Sequence, residues 1–494
     1  MNKHTQKRKH DRRHERQHAK KVDTTEMEGR IRINARGFGY VDVADRDEDI
    51  EIPPELLNTA LHNDTVRIVP KPKRRNGRIR GEVIEIAERA KTQFVGVLEE
   101  EGGYVFVKPD DTRCYIDFIL ERSETEGKEL PMDQKVLIEM TRWSNPKKNP
   151  LAKIIEVLGP TGTHETAMHS IVAGLGFNWH FPAEVEKQAE EIEKNNTTFF
   201  KEQVAKRRDM RGVPTLTIDP ADAKDFDDAI SIQKLPNGNI ELGVHIADVT
   251  AYLTPESPMD KEAQKRATSI YLVDRTIPML PEVLSNNLCS LVPQQDRLAF
   301  SAVFEMNLEG EVFDRWFGET VIHSNKRFSY LDAQEILTAE EGELFDELKI
   351  AETIAKALQQ KRYKKGSIAF ETDEIKFELD ASGWPVRAFR KERLETMKMI
   401  EDLMLLANRE VATWIANQNK KRERESVFVW RIHDTPKVDR ITELSLFLKA
   451  LGYNLPHQNG IVQARDLNEL FKEIEGAPEQ EIREQVAIHT LHKE

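Results

Sequence analysis

The chain is short of cysteine, of long apolar runs and of positive charge, and each shortage narrows what it can be. Two cysteines among 494 residues, Cys114 and Cys289, cannot build a disulfide framework or a cysteine-ligated zinc site. Cys289 shows no sequence sign of an activated thiol, so it is expected to be a buried structural residue. No apolar run approaches the roughly eighteen residues of a membrane-crossing helix, and no secretory leader opens the chain. A cytoplasmic monomer with no membrane partner is therefore expected. Lysine and arginine number 73 against 86 aspartates and glutamates, and this net charge of −13 argues at first against a nucleic-acid partner. The distribution reverses the argument. Residues 1–21 hold nine Lys or Arg against Asp11 and Glu15, a local balance of +7 that leaves −20 on the rest. A protein acidic in bulk still binds polyanions through such stretches, with salt-sensitive affinity.

The length predicts three or four domains with ample cores. Residues 1–23 read as a disordered basic arm, suited to loose phosphate contact or ribosome association, or merely to solubility. Residues 24–90 read as all-β. R-I-R-I-N, G-F-G-Y-V-D-V, D-I-E-I, D-T-V-R-I-V and G-E-V-I-E-I-A alternate in polarity, broken by Pro53-Pro54 and Asn76-Gly77. Phe38 and Tyr40 are two apart and so share a strand face. Five-stranded oligonucleotide-binding (OB) barrels stack bases on such pairs at about 1–3 kcal/mol per base; two core rings are the alternative. Lys71, Lys73, Arg74, Arg75, Arg78 and Arg80 add a cationic rim. Residues 91–159 read as a second copy, with Tyr104 and Phe106 again two apart and offsets of 69 from Asp64 to Asp133 and 71 from Ile84 to Ile155. Residues 160–206 are expected to be a linker and then a charged helix over 183–206.

Chemistry concentrates between Asp219 and Asp228. Asp219, Asp222, Asp225, Asp227 and Asp228 fall within ten residues, with Lys224 the sole cation among them. Apolar runs on both sides, Leu216-Thr217-Ile218 and Ala229-Ile230-Ser231-Ile232, predict strand, tight loop, strand. Two carboxylates about 4 Å apart repel by about 4 kcal/mol at an effective dielectric near 20. Acids held in this way must take up protons, spread into water or hold a cation. Hard oxygen donors without thiol or imidazole suit Mg²⁺, with Mn²⁺ as the alternative. A calcium loop fails on spacing, because the twelfth position counted from Asp219, Asp222 or Asp225 is Ile230, Gln233 or Pro236, never glutamate. A solvated acidic turn is the plain alternative.

T-I-D-P-A-D-A-K-D-F-D-D-A resembles the signature of the ribonuclease II/ribonuclease R (RNB) family of 3′-to-5′ exoribonucleases. H-I-A-D-V-T-A-Y (245–252), S-I-Y-L-V-D-R-T-I-P-M-L-P-E (269–282), L-S-N-N-L-C-S-L-V-P (284–293) and R-L-A-F-S (297–301) follow in the family's order. The resemblance implies a multidomain α+β fold, with two tandem cold-shock-like OB barrels before a mixed α/β RNB domain over 207–494. It implies a processive exoribonuclease that uses Mg²⁺ to release 5′-nucleoside monophosphates from single-stranded RNA 3′ ends. By resemblance Asp219, Asp225, Asp227 and Asp228 form the centre. Asp219 and Asp228 then hold metal, and Asp225 and Asp227 complete its shell and orient the attacking water. Asp222 is left as a loop-stabilising acid. Tyr271 and Phe370 match an aromatic clamp on the terminal base, with Phe377 a nearby rival for the second position. Tyr330 matches a further site tyrosine. Glu401, beside an apolar helical stripe at 394, 397, 400, 404, 407, 411 and 414, matches a contact near the penultimate nucleotide. The family's G-H-F-G-L-A block, its T-S-P-I-R-R-Y block with a phosphate-stabilising arginine, and its S1 domain are not found in these residues. The RNB domain is accordingly expected to be truncated, with little RNA hydrolysis by this chain. A non-catalytic RNA-binding protein that uses the barrels is the alternative.

Overall fold

The computed structural model describes residues 26–474, apart from 44–45, 47–48, 72–78, 127–129, 131, 366, 368–373, 422–425, 433–437, 457–461 and 463. The basic arm, most of the cationic rim and Phe370 therefore lie outside the described residues. The chain divides into two compact units, Met1–His180 and Phe181–Glu494.

The first unit contains two closed barrels. β1 (Met27–Ile33), β2 (Gly39–Val43), β3 (Ile50–Ile52), β4 (Thr65–Lys71) and β5 (Arg80–Glu88) close in the order β1-β2-β3-β5-β4. β6 (Gln93–Glu101), β7 (Tyr104–Pro109), β8 (Phe118–Leu120), β9 (Gln134–Arg142) and β10 (Leu151–Pro160) repeat that order, with the third and fifth strands again parallel. Alternation along each strand sends every second side chain inward. In β2, Val41 and Val43 are buried while Tyr40 keeps an exposed edge. The second core gathers Phe94, Leu98, Val107, Phe118 and Ile138. A short helix α1 (Arg122–Thr125) lies between β8 and β9. Within residues 160–206, α2 (His164–Gly174) replaces part of the expected linker and buries Met168 and Val172 against the second barrel. The charged helix expected over 183–206 is present as α3 (Ala183–Val204), which belongs to the second unit.

The second unit is built on a seven-stranded sheet of β11 (Arg208–Asp209), β12 (Thr215–Asp219), β13 (Asp228–Lys234), β14 (Ile240–Ala247), β17 (Asp296–Met306), β18 (Val312–His323) and β19 (Lys326–Ser329). Its order is β11-β18-β17-β14-β13-β12-β19, antiparallel except at the two edges. A hairpin of β15 (Ile270–Tyr271) and β16 (Thr276–Ile277) stands apart from the sheet. α3 and α4 (Pro258–Arg266) contribute to the core on one face, around Leu284, Leu298 and Val303. α5 (Tyr330–Ala339), α6 (Phe345–Lys364) and α7 (Glu395–Asn419) contribute to the other, around Ile218, Ile230, Val244 and Phe304. A sheet covered on both faces explains why β12 is buried at all five positions instead of alternating. A second hairpin, β20 (Ile375–Leu379) with β21 (Pro385–Arg390), precedes α7, and α8 (Val438–Ala450) and α9 (Ala464–Ile474) share a small leucine-rich core.

The buried side of α7 keeps part of the expected stripe, since Ile400 is buried and Met404 and Ala407 pack on the core, and shifts the rest. Thr396, Met399, Ile400, Leu403 and Leu406 face inward, while Trp414 and Leu405 are exposed. Apolar residues surround this helix on most sides, so periodicity alone does not select the buried one. Buried Asp402 marks the selected side, where it meets Arg362 on α6 at 2.9 Å.

Candidate metal-binding site

β12 ends at Asp219, which pairs in register with Ser329 on β19, and β13 begins at Asp228, which pairs with Ile246 on β14. The two acids therefore close the ends of neighbouring strands, and residues 220–227 form the loop between them. Ser329 caps α5 reciprocally with Asp332, which sets Tyr330 in the first turn of that helix beside the end of β12.

Two side chains hold the loop. Arg327, on β19, donates from Nη2 to the carbonyls of Pro220 and Ala221 at 2.6 and 2.9 Å, and its guanidinium lies over the Phe226 ring. Ser290 grips the second half through the backbone around Asp225. Phe226 turns into the core, so Asp225 and Asp227, its neighbours in an extended segment, turn outward. Asp222, expected to steady the loop, is exposed and makes no side-chain hydrogen bond; Arg327 and Ser290 have that role.

Burial and mutual repulsion govern the acids. Asp219 is buried, and desolvation followed by the charge of Asp228 pushes its carboxyl up to about 7. Asp228 is pushed up to about 6 by desolvation and then by Asp227. Asp227 is exposed, yet partial desolvation and then the charge of Asp225 raise its carboxyl. The repulsion runs as a chain from 219 to 228, 227 and 225. The Tyr271 hydroxyl, on β15, donates to Asp225 Oδ2 at 3.1 Å, while its ring is 67% exposed. Tyr330 is half-buried, and desolvation with the charges of Asp228 and Asp219 pushes its hydroxyl up to about 12. Asp219 Oδ2 is buried with no hydrogen-bond partner. Among the described residues, no three His, Cys, Asp or Glu side chains converge tightly enough to ligate one ion together. A Mg²⁺ or Mn²⁺ ion that keeps several waters needs only one or two carboxylates. Asp219, with its orphaned buried oxygen, and Asp228 are the donors that fit.

Residues 207–494 match the RNB domain family. This chain belongs to that family. Residues 29–86 match the ribonuclease B OB domain and residues 106–182 a cold shock domain, in agreement with the two barrels. Ribonuclease R of Thermotoga maritima is 35% identical over 473 residues, covering 94% of this chain and 65% of its own length. Ribonuclease R of Escherichia coli is 32% identical over 471 residues, covering 94% and 56%. The chain thus spans between 56% and 65% of the length of these relatives. The apo structure of Mycoplasma genitalium RNase R superposes with a TM-score of 0.83 at 25% identity, covering 94% of this chain and 73% of that one.

Within the RNB domain the structure brings together Asp219, Asp225, Asp227, Asp228, Tyr271 and Tyr330. Glu401 stands on exposed α7 surface, paired with Arg393 and, at 3.8 Å, with Arg362. Phe38 and Tyr40 are half-exposed in the first unit, as is Phe106, and Tyr104 is 66% exposed. Sequence reasoning missed Arg327 and Ser290. Each lies more than sixty residues from the loop that it holds, and no local spacing announces such a contact.

Proposed function

We propose that the chain carries a divalent-cation-dependent 3′-to-5′ exoribonuclease site that shortens single-stranded RNA processively to 5′-nucleoside monophosphates. The observation that carries this reading is the buried Asp219 carboxylate, whose Oδ2 has no hydrogen-bond partner, beside Asp228 and Asp227, whose mutual repulsion a cation relieves. Bound Mg²⁺ supplies charge neutralisation at a phosphodiester and a more acidic water. The chain's own residues do the rest. Asp219 and Asp228 hold the ion, and Asp225 and Asp227 orient water. The exposed face of Tyr271 receives the terminal base, and its hydroxyl bond to Asp225 couples base placement to the acids. Tyr330 lies near the same acids as a second contact. Phe370 and Glu401 are assigned to the RNA strand by family resemblance. Relatives bear on the substrate as well, since Mycoplasma genitalium RNase R has been solved with ribose-methylated single-stranded RNA and with double-stranded RNA. The basic arm is assigned to phosphate or ribosome contact on its charge alone.

The test uses a 5′-labelled oligoribonucleotide, Mg²⁺ and the variant Asp227→Asn. Stepwise 3′ shortening, however slow, that stops with the variant or with EDTA while RNA binding persists supports the reading. Shortening indifferent to both overturns it. The second reading is an RNA-binding protein without catalysis, and it rests on the barrels, where the Tyr104 ring is 66% exposed. It predicts RNA binding that neither EDTA nor Asp227→Asn changes, and no shortening.

A further inference from the structure

The acidic loop has no secondary structure of its own between Asp219 and Asp228. Its carboxylates repel one another, so something outside the loop must hold the backbone in place. Ser290 is fully buried, and its hydroxyl makes two bonds to the loop. It accepts from the Phe226 N–H at 2.9 Å and donates to the Lys224 carbonyl at 2.9 Å. The Leu291 N–H then donates to the Phe226 carbonyl at 2.9 Å. Asp225 is thus bracketed on both sides by bonds to a single two-residue segment.

That segment is itself anchored. It follows a wide helical turn at Val283–Leu288, in which the Cys289 N–H reaches the Leu284 carbonyl at 2.9 Å. Turns of this i→i+5 kind are rare and cluster at functional sites. Arg297, buried at the start of β17, donates Nε to the Ser290 carbonyl at 2.9 Å and to the Asn287 carbonyl at 3.2 Å. Its other amines reach the Asp296 carbonyl and the Gln295 side chain. A buried guanidinium spent on carbonyl and amide oxygens is a costly device for packing alone. It makes sense as a rigid mount.

We propose that Ser290 is a positioning residue for the acidic loop. Its buried hydroxyl fixes Lys224 and Phe226 so that Asp225 and Asp227 stay within electrostatic reach of Asp228. The inference rests on the metal-site reading above. Ser290 touches neither ion nor RNA and acts through the backbone, as residues that orient metal ligands from behind commonly do.

The experiment measures Mn²⁺ affinity by electron paramagnetic resonance, and amide hydrogen exchange at Phe226, on the 494-residue protein. It compares the wild type with Ser290→Ala and with Thr320→Ala. Thr320 is an equally buried hydroxyl, bonded to Ser301 and the Ala299 carbonyl and remote from the loop in its contacts. Ser290→Ala should weaken Mn²⁺ binding by about 10- to 100-fold, the range for such orienting residues, and should strip protection from the Phe226 amide. Thr320→Ala should do neither. Wild-type affinity in a folded Ser290→Ala overturns the proposal, as does an equal loss in Thr320→Ala. If the wild type binds no Mn²⁺, the metal reading falls, and Phe226 exchange alone then decides whether Ser290 holds the loop. Should Ser290→Ala not fold, Ser290→Cys, close in volume but a weaker hydrogen-bonding group, takes its place under the same criterion.

Discussion

In the first barrel the interior is Ile31, Ile33, Val41, Ile50, Ile52, Val66 and Ile68, aliphatic throughout. In the seven-stranded sheet the comparable inward positions include Asp219, Ser231, His245, Ser301 and Thr320. His245 bonds Ser231 and Ser301, and Ser301 bonds Thr320, a buried polar row across β13, β14, β17 and β18. Beside it Arg207 and Asp248 pair at 2.7 Å almost fully buried. The first barrel buries one charge beside this aliphatic interior, Asp64, which Arg89 meets at 2.6 Å. The sheet buries far more, both charge and polarity, at a cost in stability. Such a network stabilises only while every member is satisfied.

The largest test of this contrast is Asp248→Ala, which leaves the buried Arg207 with only the more distant Glu319 carboxylate, at 4.0 Å. A loss of about 3–5 kcal/mol in urea unfolding is expected; a loss below about 1 kcal/mol would show that the pair is dispensable. The acids come next, through pH. Asp219 is pushed up to about 7, above its ordinary value, so the folded state binds more protons between about 4 and 7. Its contribution is therefore full at acid pH and is lost as pH rises through 7 in the metal-free protein. Asp219→Asn should raise stability in EDTA at pH 8 by about 2 kcal/mol and abolish Mn²⁺ binding. Urea melts at several pH values decide the matter, and an unchanged pH profile would refute the crowding. His245 has the opposite sign. Burial, and then the charge of Arg208, pushes it down to about 3. The unfolded chain takes up that proton first, and stability falls as pH drops below about 6.5.

Smaller effects belong to the first unit. Tyr104→Ala removes an exposed ring and should leave stability within about 0.5 kcal/mol. If Tyr104 stacks a base, RNA affinity in a filter-binding titration should fall by about 1–3 kcal/mol; an unchanged affinity would strike it from the RNA surface. Smallest of all, Arg32→Ala breaks an exposed pair with Asp49 at 2.8 Å and should cost less than about 1 kcal/mol in thermal unfolding.

Much of this was legible in the residues. The two glycine-aromatic strands, Gly37–Tyr40 and Gly102–Phe106, announced a repeat, and the barrels share one strand order. The run from Asp219 to Asp228 announced a loop between strands, and β12 and β13 end and begin at those acids. What was not legible depended on contacts across long stretches of chain. The expected stripe of α7 includes Ile400, Met404 and Ala407, which pack on the core, but not Met399, Leu403 and Leu406, because several faces carry leucine and methionine and only packing against α6 selects one. Glu401 was assigned to RNA from its motif, and no local pattern could reveal its pairing with Arg393 and Arg362.

The sequence by itself determined the kinds of atoms at the site, the strand-loop-strand frame around them and the two barrels before it. Those follow from local alternation and from five ordered motifs. Tertiary structure alone decided how acids that repel one another are kept together. Ser290 and Arg327 reach the loop, and Arg297 reaches Ser290, from elements distant along the chain. Their hydrogen bonds to backbone carbonyls and amides depend on position in space, and side-chain spacing along the chain carries no trace of them.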